Sequence, residues 1–362
     1  MIKPMIKPGL VRLVLALIVV FHHLTRYTFL GEFAVDSFFV LSGYWITLMF
    51  EHKYSKKANE LKVFYISRFW RVLPVFYIFT ILGAIVLLAV GGLREHYNAL
   101  PSTGDKSIFW LSNTTILTYY LSKLRILGPA WSLDIEMQFY LIFPFIYYAV
   151  KKNTRALLLL TGISFLMFLS IWLFFSDSLA KQTILSYVFL FLIGMVIYRL
   201  NVTFSGRTQR VGLMLFIGVL ALQYTLLVMP ATAHLFVGTL SGFRVLTLCA
   251  LACALPTLAN SVKVRSDERD KFYGEMSYLL YLSHWVWLNL YNHLIDHLTH
   301  KYLRLPYVAL FLLVTLGSAL AVYYLVDRTS ERLRHRWVKA QREKKQTART
   351  PEPSLVLASS TR

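Results

Sequence analysis

The sequence is poor in cysteine, proline, glycine and acidic residues. Its 362 residues include 2 cysteines, 11 prolines, 17 glycines and 18 Asp plus Glu. Cys249 and Cys253 lie four positions apart in an apolar stretch, where they behave as small hydrophobes, so a disulfide framework is excluded. Only 15% of the residues are charged whereas 57% are hydrophobic, which is unlike a soluble domain. The composition therefore predicts a protein surrounded by lipid.

Apolar stretches of about 20 residues, the length a helix needs to cross a bilayer, recur along the chain. We place spans at residues 9–29, 34–50, 72–93, 132–150, 156–175, 184–199, 211–229, 238–259, 276–295 and 306–326. Residues 109–121 are too short and too polar for an independent crossing, and we interpret them as re-entrant or interfacial. The sequence thus predicts an all-α polytopic membrane protein with about ten transmembrane helices.

The excess of basic residues has a topological explanation. The chain carries 38 Lys plus Arg and a formal net charge of +20, which in a soluble protein would suggest a nucleic-acid partner. Alternate loops place most of these residues on one side of the membrane, including the runs at 53–71, 263–271 and 328–345. Aromatic motifs for nucleic acid are missing. The asymmetry therefore predicts cytoplasmic N- and C-termini and no nucleic-acid partner.

The predicted spans leave no segment for a separate soluble catalytic domain. We expect residues 1–345 to form one transmembrane domain and the polar residues 346–362 to form a disordered cytoplasmic tail. Any chemistry must then take place within the bundle or at its faces.

Arg12 and His23 in the first span are ionisable residues that lipid makes costly to bury. Their offset of eleven residues leaves them about 20° apart after three turns, so they share a helix face. They differ in height by about 16 Å, with Arg12 at the cytoplasmic surface and His23 deeper. A long ligand bound through a phosphate at Arg12 would present its far end at His23. Alternatively, Arg12 snorkels as an anchor and His23 caps the helix end.

Asp36 lies at the start of the second span, after a short connection to the first. We expect Asp36 and His23 at similar depth on adjacent antiparallel helices. There the carboxylate would fix the imidazole tautomer and stabilise its charged form. The alternative is that Asp36 caps the second helix.

Arg68 and Arg71 lie three residues apart at the start of the third span and share a helical face. Guanidinium groups suit phosphate, so the pair is a candidate phosphate clamp. Anionic lipid headgroups would attract the same pair, and that alternative stays open.

Further polar residues form stripes on later spans. Glu136 and Tyr140 lie four residues apart at the start of the fourth span, just after Trp131. Tyr281 and His284 lie on one face of the ninth span. Such stripes line a cavity, or else hydrogen-bond helices together without further function. The predicted pocket residues are Trp131, Glu136, Tyr140, Tyr281 and His284.

Together these segments resemble the membrane-bound acyltransferase-3 family, bacterial O-acyltransferases that modify lipopolysaccharide, exopolysaccharide and related glycans. The resemblance covers most of the chain and rests on several individually weak motifs in the right order. They are Arg12-x10-His23, the segment 36–43, Arg68-x2-Arg71 with Pro74, Trp131-Ser132-Leu133 with Glu136 and Phe139-Tyr140, Ser277-Tyr278 with Tyr281 and His284, and the closing segment 327–332.

The resemblance implies transfer of an acyl group, usually acetyl, from cytoplasmic acyl-CoA to a hydroxyl of an extracytoplasmic or lipid-linked glycan. It places the protein in the bacterial cytoplasmic (inner) membrane among lipids, with acetyl-CoA as co-substrate and no bound cofactor or metal. Arg12 and His23 match the essential arginine and histidine, and Arg68 and Arg71 match the cytoplasmic donor-binding motif. His23 would act as general base or as nucleophile, with Asp36 and Arg12 as its catalytic neighbours.

Some family members carry an appended extracytoplasmic esterase-like domain, for which this sequence has no segment of sufficient length. Direct transfer within the membrane domain is therefore the simpler expectation. A transporter or flippase of a glycan or lipid-linked intermediate is the alternative function, since buried His, Asp and Arg also line substrate pathways.

Overall fold

A computed structural model describes residues 6–25, 30–55, 59–175, 183–228, 242–295 and 304–347. The α-helices are α1 Pro8–Thr25, α2 Leu30–Met49, α3 Glu60–Ala89, α4 Gly92–Asn98, α5 Thr103–Thr115, α6 Trp131–Val150, α7 Thr154–Phe174, α8 Val188–Arg199, α9 Gly206–Val228, α10 Gly242–Ser261, α11 Glu268–Ile295, α12 Leu305–Val322 and α13 Arg328–Thr347. Short π-helical segments, Phe50–Tyr54 and Tyr323–Asp327, extend α2 and join α12 to α13. Within these ranges there is no β-strand, so the all-α class is confirmed.

Seven helical segments of the described chain are long and apolar enough to cross a membrane. They are Pro8–Thr25, Leu30–Tyr54, Glu60–Ala89, Thr154–Phe174, Gly206–Leu226, Arg244–Ser261 and Leu305–Gln341. The other three predicted spans coincide with α6, α8 and α11. Of these, α8 has only 12 residues, and α6 and α11 carry several polar side chains. The protein is polytopic, whereas the count of ten spans and the side of the termini stay predictions.

The predicted re-entrant segment, residues 109–121, lies within the described residues, whereas most of the predicted tail, residues 346–362, does not. Residues 109–121 form the end of α5 and a 3-10 turn at Tyr119–Leu121, with Phe109 and Tyr119 buried. The predicted tail, residues 346–362, begins in the last turn of α13, which continues to Thr347. Residues 348–362 lie outside the described residues, so the disordered tail stays a prediction.

Helices α2 and α8 cross in close contact through a pair of glycines. A Cβ at Gly43 would lie 2.0 Å from the Phe191 carbonyl oxygen, and one at Gly194 would lie 2.1 Å from the Val40 carbonyl oxygen. Small residues let the backbones of membrane helices approach in this way. The contact fixes α2, which runs along the candidate site.

Helices α1 and α11 pack side by side in parallel. Asp270 accepts hydrogen bonds from the backbone N–H groups of Gly9 at 3.1 Å and Leu10 at 2.9 Å, which caps the N-terminus of α1. Farther along, His23 meets His284. From the first contact to the second, both helices advance by the same number of residues. Helix α11 therefore follows the face of α1 that carries Arg12 and His23.

Candidate active site

A cavity of about 310 Å³ lies at the end of the bundle where α1, α3 and α11 begin. Five basic side chains line this cavity, called the basic cavity below: Arg12, Arg68, Arg71, Lys271 and Arg334. Four carboxylates line it as well: Glu136, Asp270, Glu275 and Glu331. The structure thus brings Arg12 into one cavity with the two arginines of the third predicted span. Lys271 and Arg334 belong to basic runs that the sequence explained by topology alone, and no local signal distinguished them.

Arg68 lies in the wall of the basic cavity with 5% of its surface exposed. Its Nη2 donates to the Tyr54 hydroxyl at 2.7 Å, and its Nε has no hydrogen-bond partner within the described ranges. No carboxylate in that part of the chain lies within ion-pair distance of Arg68. Arg68 therefore retains both charge and donor capacity for a ligand.

Arg71 differs from Arg68, although both line the same cavity. Its Nη1 lies 3.1 Å from Oδ1 of Asp327 and 3.3 Å from Oε1 of Glu331. Glu331 also binds Arg334, with 2.5 Å between Oε2 and Nη2. Arg71 is thus neutralised by two carboxylates. The prediction that Arg68 and Arg71 bind a donor stays a prediction, but the structure shows that the two are not equivalent.

Arg12 shares the basic cavity and lies beside Gly274, where an added Cβ would be 3.8 Å from Nη1. As with Arg68, no described carboxylate lies within ion-pair distance. Simple snorkelling therefore does not describe Arg12, because its guanidinium lines a cavity inside the bundle. A guanidinium without a carboxylate at ion-pair distance favours an anionic or strongly polar ligand.

Glu136 and Tyr140 line the same cavity from one face of α6, as their four-residue spacing predicts. The Tyr140 hydroxyl donates to Oε1 of Glu136, which also accepts from Ser42 Oγ at 2.8 Å. The carboxylate is thus held by two hydroxyl groups.

A narrower inner cavity of about 70 Å³ continues from the basic cavity into the bundle. The two cavities share Arg12, Phe38, Ser42, Glu136 and Tyr278. Beyond this shared wall, Ser132 and Tyr281 line the inner cavity, with 2.7 Å between their hydroxyl oxygens. The two cavities therefore adjoin, and polar side chains line them as far as Tyr281.

Three histidines cluster just beyond Tyr281, whose ring centroid is 6.2 Å from that of His284. His23 stacks on His284 with 5.4 Å between ring centroids, and His22 meets His23 edge-on at 4.9 Å. The shared face of Arg12 and His23 is therefore confirmed, since both side chains meet α11. His23 does not merely cap the end of α1, because its ring packs inside the bundle.

His284 is fully buried, and its tautomer follows from one contact. Nδ1 lies 3.0 Å from the Leu280 carbonyl oxygen, which can only accept, so Nδ1 carries the proton. Nε2 then presents a lone pair, and it has no hydrogen-bond partner in the part of the chain that the structure describes. His284 thus contributes a buried acceptor nitrogen beside the His23 ring.

The predicted pairing of Asp36 with His23 is wrong. Asp36 binds Arg244 through two hydrogen bonds, of 2.6 Å from Nη1 and 3.2 Å from Nη2, and both side chains are at most 2% exposed. Asp36 does not cap α2 either, because that helix begins at Leu30. The helix α10, which carries Arg244, supplies a partner far along the chain that outcompetes a half-buried imidazole for the carboxylate.

Trp131 is also placed differently from its prediction. It lines a separate outer pocket of about 260 Å³ and neither of the other two cavities. The outer pocket is lined by Glu32, Asp36, Arg125, Trp131, Trp172, Tyr187 and Arg244. The charge of Arg244 within a predicted span was a signal for this pocket, whereas Arg125, Trp172 and Tyr187 stand in no recognisable motif.

The rim of the basic cavity carries an exposed ion pair. Lys7 Nζ lies 2.6 Å from Oδ2 of Asp267, and this hydrogen bond lowers the pKa of the Asp267 carboxyl.

Within the described ranges, no group of three or more His, Cys, Asp or Glu side chains forms a possible metal site.

The fold and site define a polytopic membrane protein in which a basic cavity adjoins an inner cavity, with a cluster of three histidines just beyond it. A family model described as an acyltransferase domain matches residues 7–324. The chain therefore belongs to the acyltransferase-3 family, as the motif order predicted.

Two curated relatives extend this comparison. The chain is 36% identical over 138 residues to the peptidoglycan O-acetyltransferase OatA of Listeria monocytogenes. This match covers 35% of this chain and 22% of the relative. It is 25% identical over 311 residues to a Staphylococcus aureus (strain COL) protein named "Putative O-acetyltransferase". This match covers 77% of this chain and 50% of the relative. The chain thus spans at most about half the length of these relatives. No solved structure matches the chain.

Proposed function

We propose that this protein transfers an acyl group, in the simplest case acetyl, from acyl-CoA to a hydroxyl of a cell-envelope glycan. The observation that carries the proposal is that the basic cavity adjoins the inner cavity, which ends at Tyr281, whose ring centroid is 6.2 Å from that of His284, the neighbour of His23. Family membership and relatives named as O-acetyltransferases support the same chemistry.

The basic cavity suits the phosphates of CoA. Arg12 and Arg68 have no ion-pair partner among the described residues, and Lys271 lines the same cavity. Guanidinium groups bind phosphate through short charge-assisted hydrogen bonds. We assign Arg12, Arg68 and Lys271 to the phosphates, and Arg71 to holding Asp327 and Glu331 in the cavity wall.

The inner cavity suits the pantetheine arm. Its volume of about 70 Å³, against about 310 Å³ for the basic cavity, leaves no room for a nucleotide, and we assign it to part of the thin pantetheine chain. Arg12 and His23 differ by about 16 Å along α1, so a donor held at Arg12 extends the thioester toward the histidines. Tyr281 and Ser132 then lie where the acyl end arrives.

Two routes complete the transfer at His23. As general base, a ring nitrogen takes the acceptor hydroxyl proton while the oxygen attacks the thioester carbon. The C–S bond then breaks, and the CoA thiolate takes the proton. As nucleophile, the nitrogen attacks the thioester carbon, the C–S bond breaks and CoA leaves as the thiolate. The acceptor oxygen then displaces the acyl group from the imidazole, and the hydroxyl proton passes to the thiolate. Trapping of an acyl-histidine with labelled donor supports the second route, whereas strictly sequential kinetics count against it.

The acceptor is an extracytoplasmic or lipid-linked glycan at the bacterial cytoplasmic membrane. Exopolysaccharide and lipopolysaccharide follow from the family resemblance, and peptidoglycan follows from the name of the Listeria relative. Comparing the mass of each envelope glycan with and without the protein identifies both the acceptor and the acyl group.

The direct test uses the full chain in nanodiscs with radiolabelled acetyl-CoA and envelope glycans from a bacterium lacking the gene. We expect labelled glycan and release of free CoA thiol that depends on the acceptor. A transporter or flippase would move the glycan without releasing CoA thiol. Absence of label and of thiol release, with donor and acceptor both present, would contradict the proposal.

A further inference from the structure

The outer pocket lies at the opposite end of the bundle from the basic cavity. Helix α2 connects the two, because Glu32 and Asp36 near its start line the outer pocket, and Ile46 and Met49 near its end line the basic cavity. Trp131 opens α6 at the same end as Glu32. An acyl donor in the basic cavity therefore leaves the outer pocket free for a second ligand.

The outer pocket combines aromatic rings with polar groups of balanced charge. Trp131, Trp172 and Tyr187 supply rings, and two carboxylates are matched by two guanidinium groups. A small pocket, below the roughly 300–1,000 Å³ typical of ligand sites, with aromatic walls and several fixed polar groups suits a compact neutral ligand rich in hydroxyls. It differs from the basic cavity, where Arg12 and Arg68 have no carboxylate at ion-pair distance within the described ranges and so favour an anion.

The side chain of Arg244 indicates that the outer pocket binds a ligand. Its side chain is 2% exposed, and its guanidinium lies 5.5–5.7 Å from the ring centroids of Phe168, Trp172 and Tyr187. Asp36 takes both terminal nitrogens, while Nε has no hydrogen-bond partner within the described ranges. A buried donor left unsatisfied in a pocket wall is costly unless a ligand accepts from it.

The outer pocket is close to the histidines. A Cβ at Gly31, the neighbour of Glu32, would lie 2.5 Å from Cδ2 of His22, whose ring packs on His23. On the other side, Trp131 precedes Ser132, which lines the inner cavity beside Tyr281. Direct neighbours in the chain thus link the outer pocket to the histidines on one side and to the inner cavity on the other.

We propose that the outer pocket binds one sugar ring of the acceptor glycan. The aromatic side chains contact the apolar face of the pyranose, and its hydroxyls bond to Glu32, Arg125 and Nε of Arg244. A hydroxyl at the pocket edge nearest His22 is then presented to His23. This inference rests on the proposed function, because it assigns the acceptor subsite of that reaction.

The test varies the acceptor against a fixed donor, using the full chain in nanodiscs. The probe is solubilised envelope glycan from a bacterium lacking the gene, supplied as a dilution series with radiolabelled acetyl-CoA. Trp131→Ala and Arg125→Gln are the variants, and Trp110→Ala is the matched control, because Trp110 is 60% exposed and lines none of the three cavities. Trp131→Phe tests rescue by a retained ring.

We expect the apparent KM for the glycan to rise at least about tenfold in both variants, as befits one lost ring contact or charged hydrogen bond. The KM for acetyl-CoA should change less than about twofold, with Trp131→Phe intermediate and Trp110→Ala like wild type. If Trp131→Ala does not fold, the KM of Arg125→Gln for the glycan tests the acceptor subsite by itself.

An unchanged glycan KM in a folded variant, or an equal rise in both KM values, overturns the acceptor subsite while wild-type transfer continues. Failure of the wild-type protein to label any glycan instead overturns the proposed function.

Discussion

The two ends of the bundle use the same kinds of side chain to make different sites. At the basic cavity, Arg12 and Arg68 have no carboxylate at ion-pair distance within the described ranges, whereas Arg71 is bound to Asp327 and Glu331. At the outer pocket, Arg244 is bound to Asp36 and surrounded by aromatic rings.

This difference indicates that the partners of an arginine, and not only the number of arginines in a cavity, decide what the cavity offers to a ligand. A guanidinium with free N–H groups favours a phosphate, but one held by a carboxylate acts as a fixed polar wall. The predictions below test whether the free arginines bind a ligand and the paired arginines stabilise the fold.

The largest expected effect is at His23, where the two proposed ligands meet. His23→Ala should lower the transfer rate about 10³-fold or more, because the acceptor hydroxyl loses its base or the acyl group its carrier. Radiolabel transfer to glycan measures the rate, and His293→Ala on the exposed side of α11 is the control. Transfer by a folded His23→Ala variant at more than a tenth of the wild-type rate would remove His23 from the mechanism.

Removing Asp36 should mainly affect stability. Asp36→Asn leaves the buried charge of Arg244 without its carboxylate, and we expect a loss of about 3–5 kcal/mol. Thermal unfolding in detergent measures the loss, and the double variant Asp36→Asn with Arg244→Met should recover part of it. If the double variant is less stable than the sum of the single changes, the ion pair is not the cause.

The arginine motif should divide into two roles. Arg68→Met should raise the apparent KM for acetyl-CoA by about 10- to 100-fold, because a charged hydrogen bond to phosphate contributes about 1.5–3 kcal/mol. Arg71→Met should lower the unfolding temperature more than Arg68→Met does, since Asp327 and Glu331 lose their shared cation. Equal effects of the two substitutions on both measurements would contradict the division.

The smallest effect is expected at the rim of the basic cavity. Lys7→Gln removes the ion pair with Asp267, in which both side chains are about half exposed. Such exposed pairs contribute little to stability. Unfolding temperature and the KM for acetyl-CoA should stay at wild-type values, and a clear rise in the KM would extend the phosphate site to Lys7.

Helical periodicity predicted those parts of the site that lie on one helix. The shared face of Arg12 and His23, and that of Glu136 and Tyr140, follows from the pitch of an α-helix and holds in the structure. Apolar length predicted helices at all ten positions. It did not establish ten crossings, because α8 is short and α6 and α11 are polar where they pack against other helices.

Partners on distant helices were beyond the sequence patterns. Asp36 was assigned to the nearest imidazole, but its partner Arg244 lies 208 residues away. Arg71 was grouped with Arg68 by spacing, yet its partner Asp327 lies 256 residues away. Each outcome depends on which helices pack together, and a single sequence without coupled positions does not contain that information.

The central claim, that donor and acceptor enter from opposite ends, has a direct test in sealed vesicles of known orientation. Acetyl-CoA, which does not cross membranes, is supplied on one side at a time, and labelled glycan is measured. We predict labelling when the donor faces the end that carries Arg68 and Lys271, and none when it faces the end that carries Trp131. Labelling with the donor confined to the Trp131 side would contradict the account.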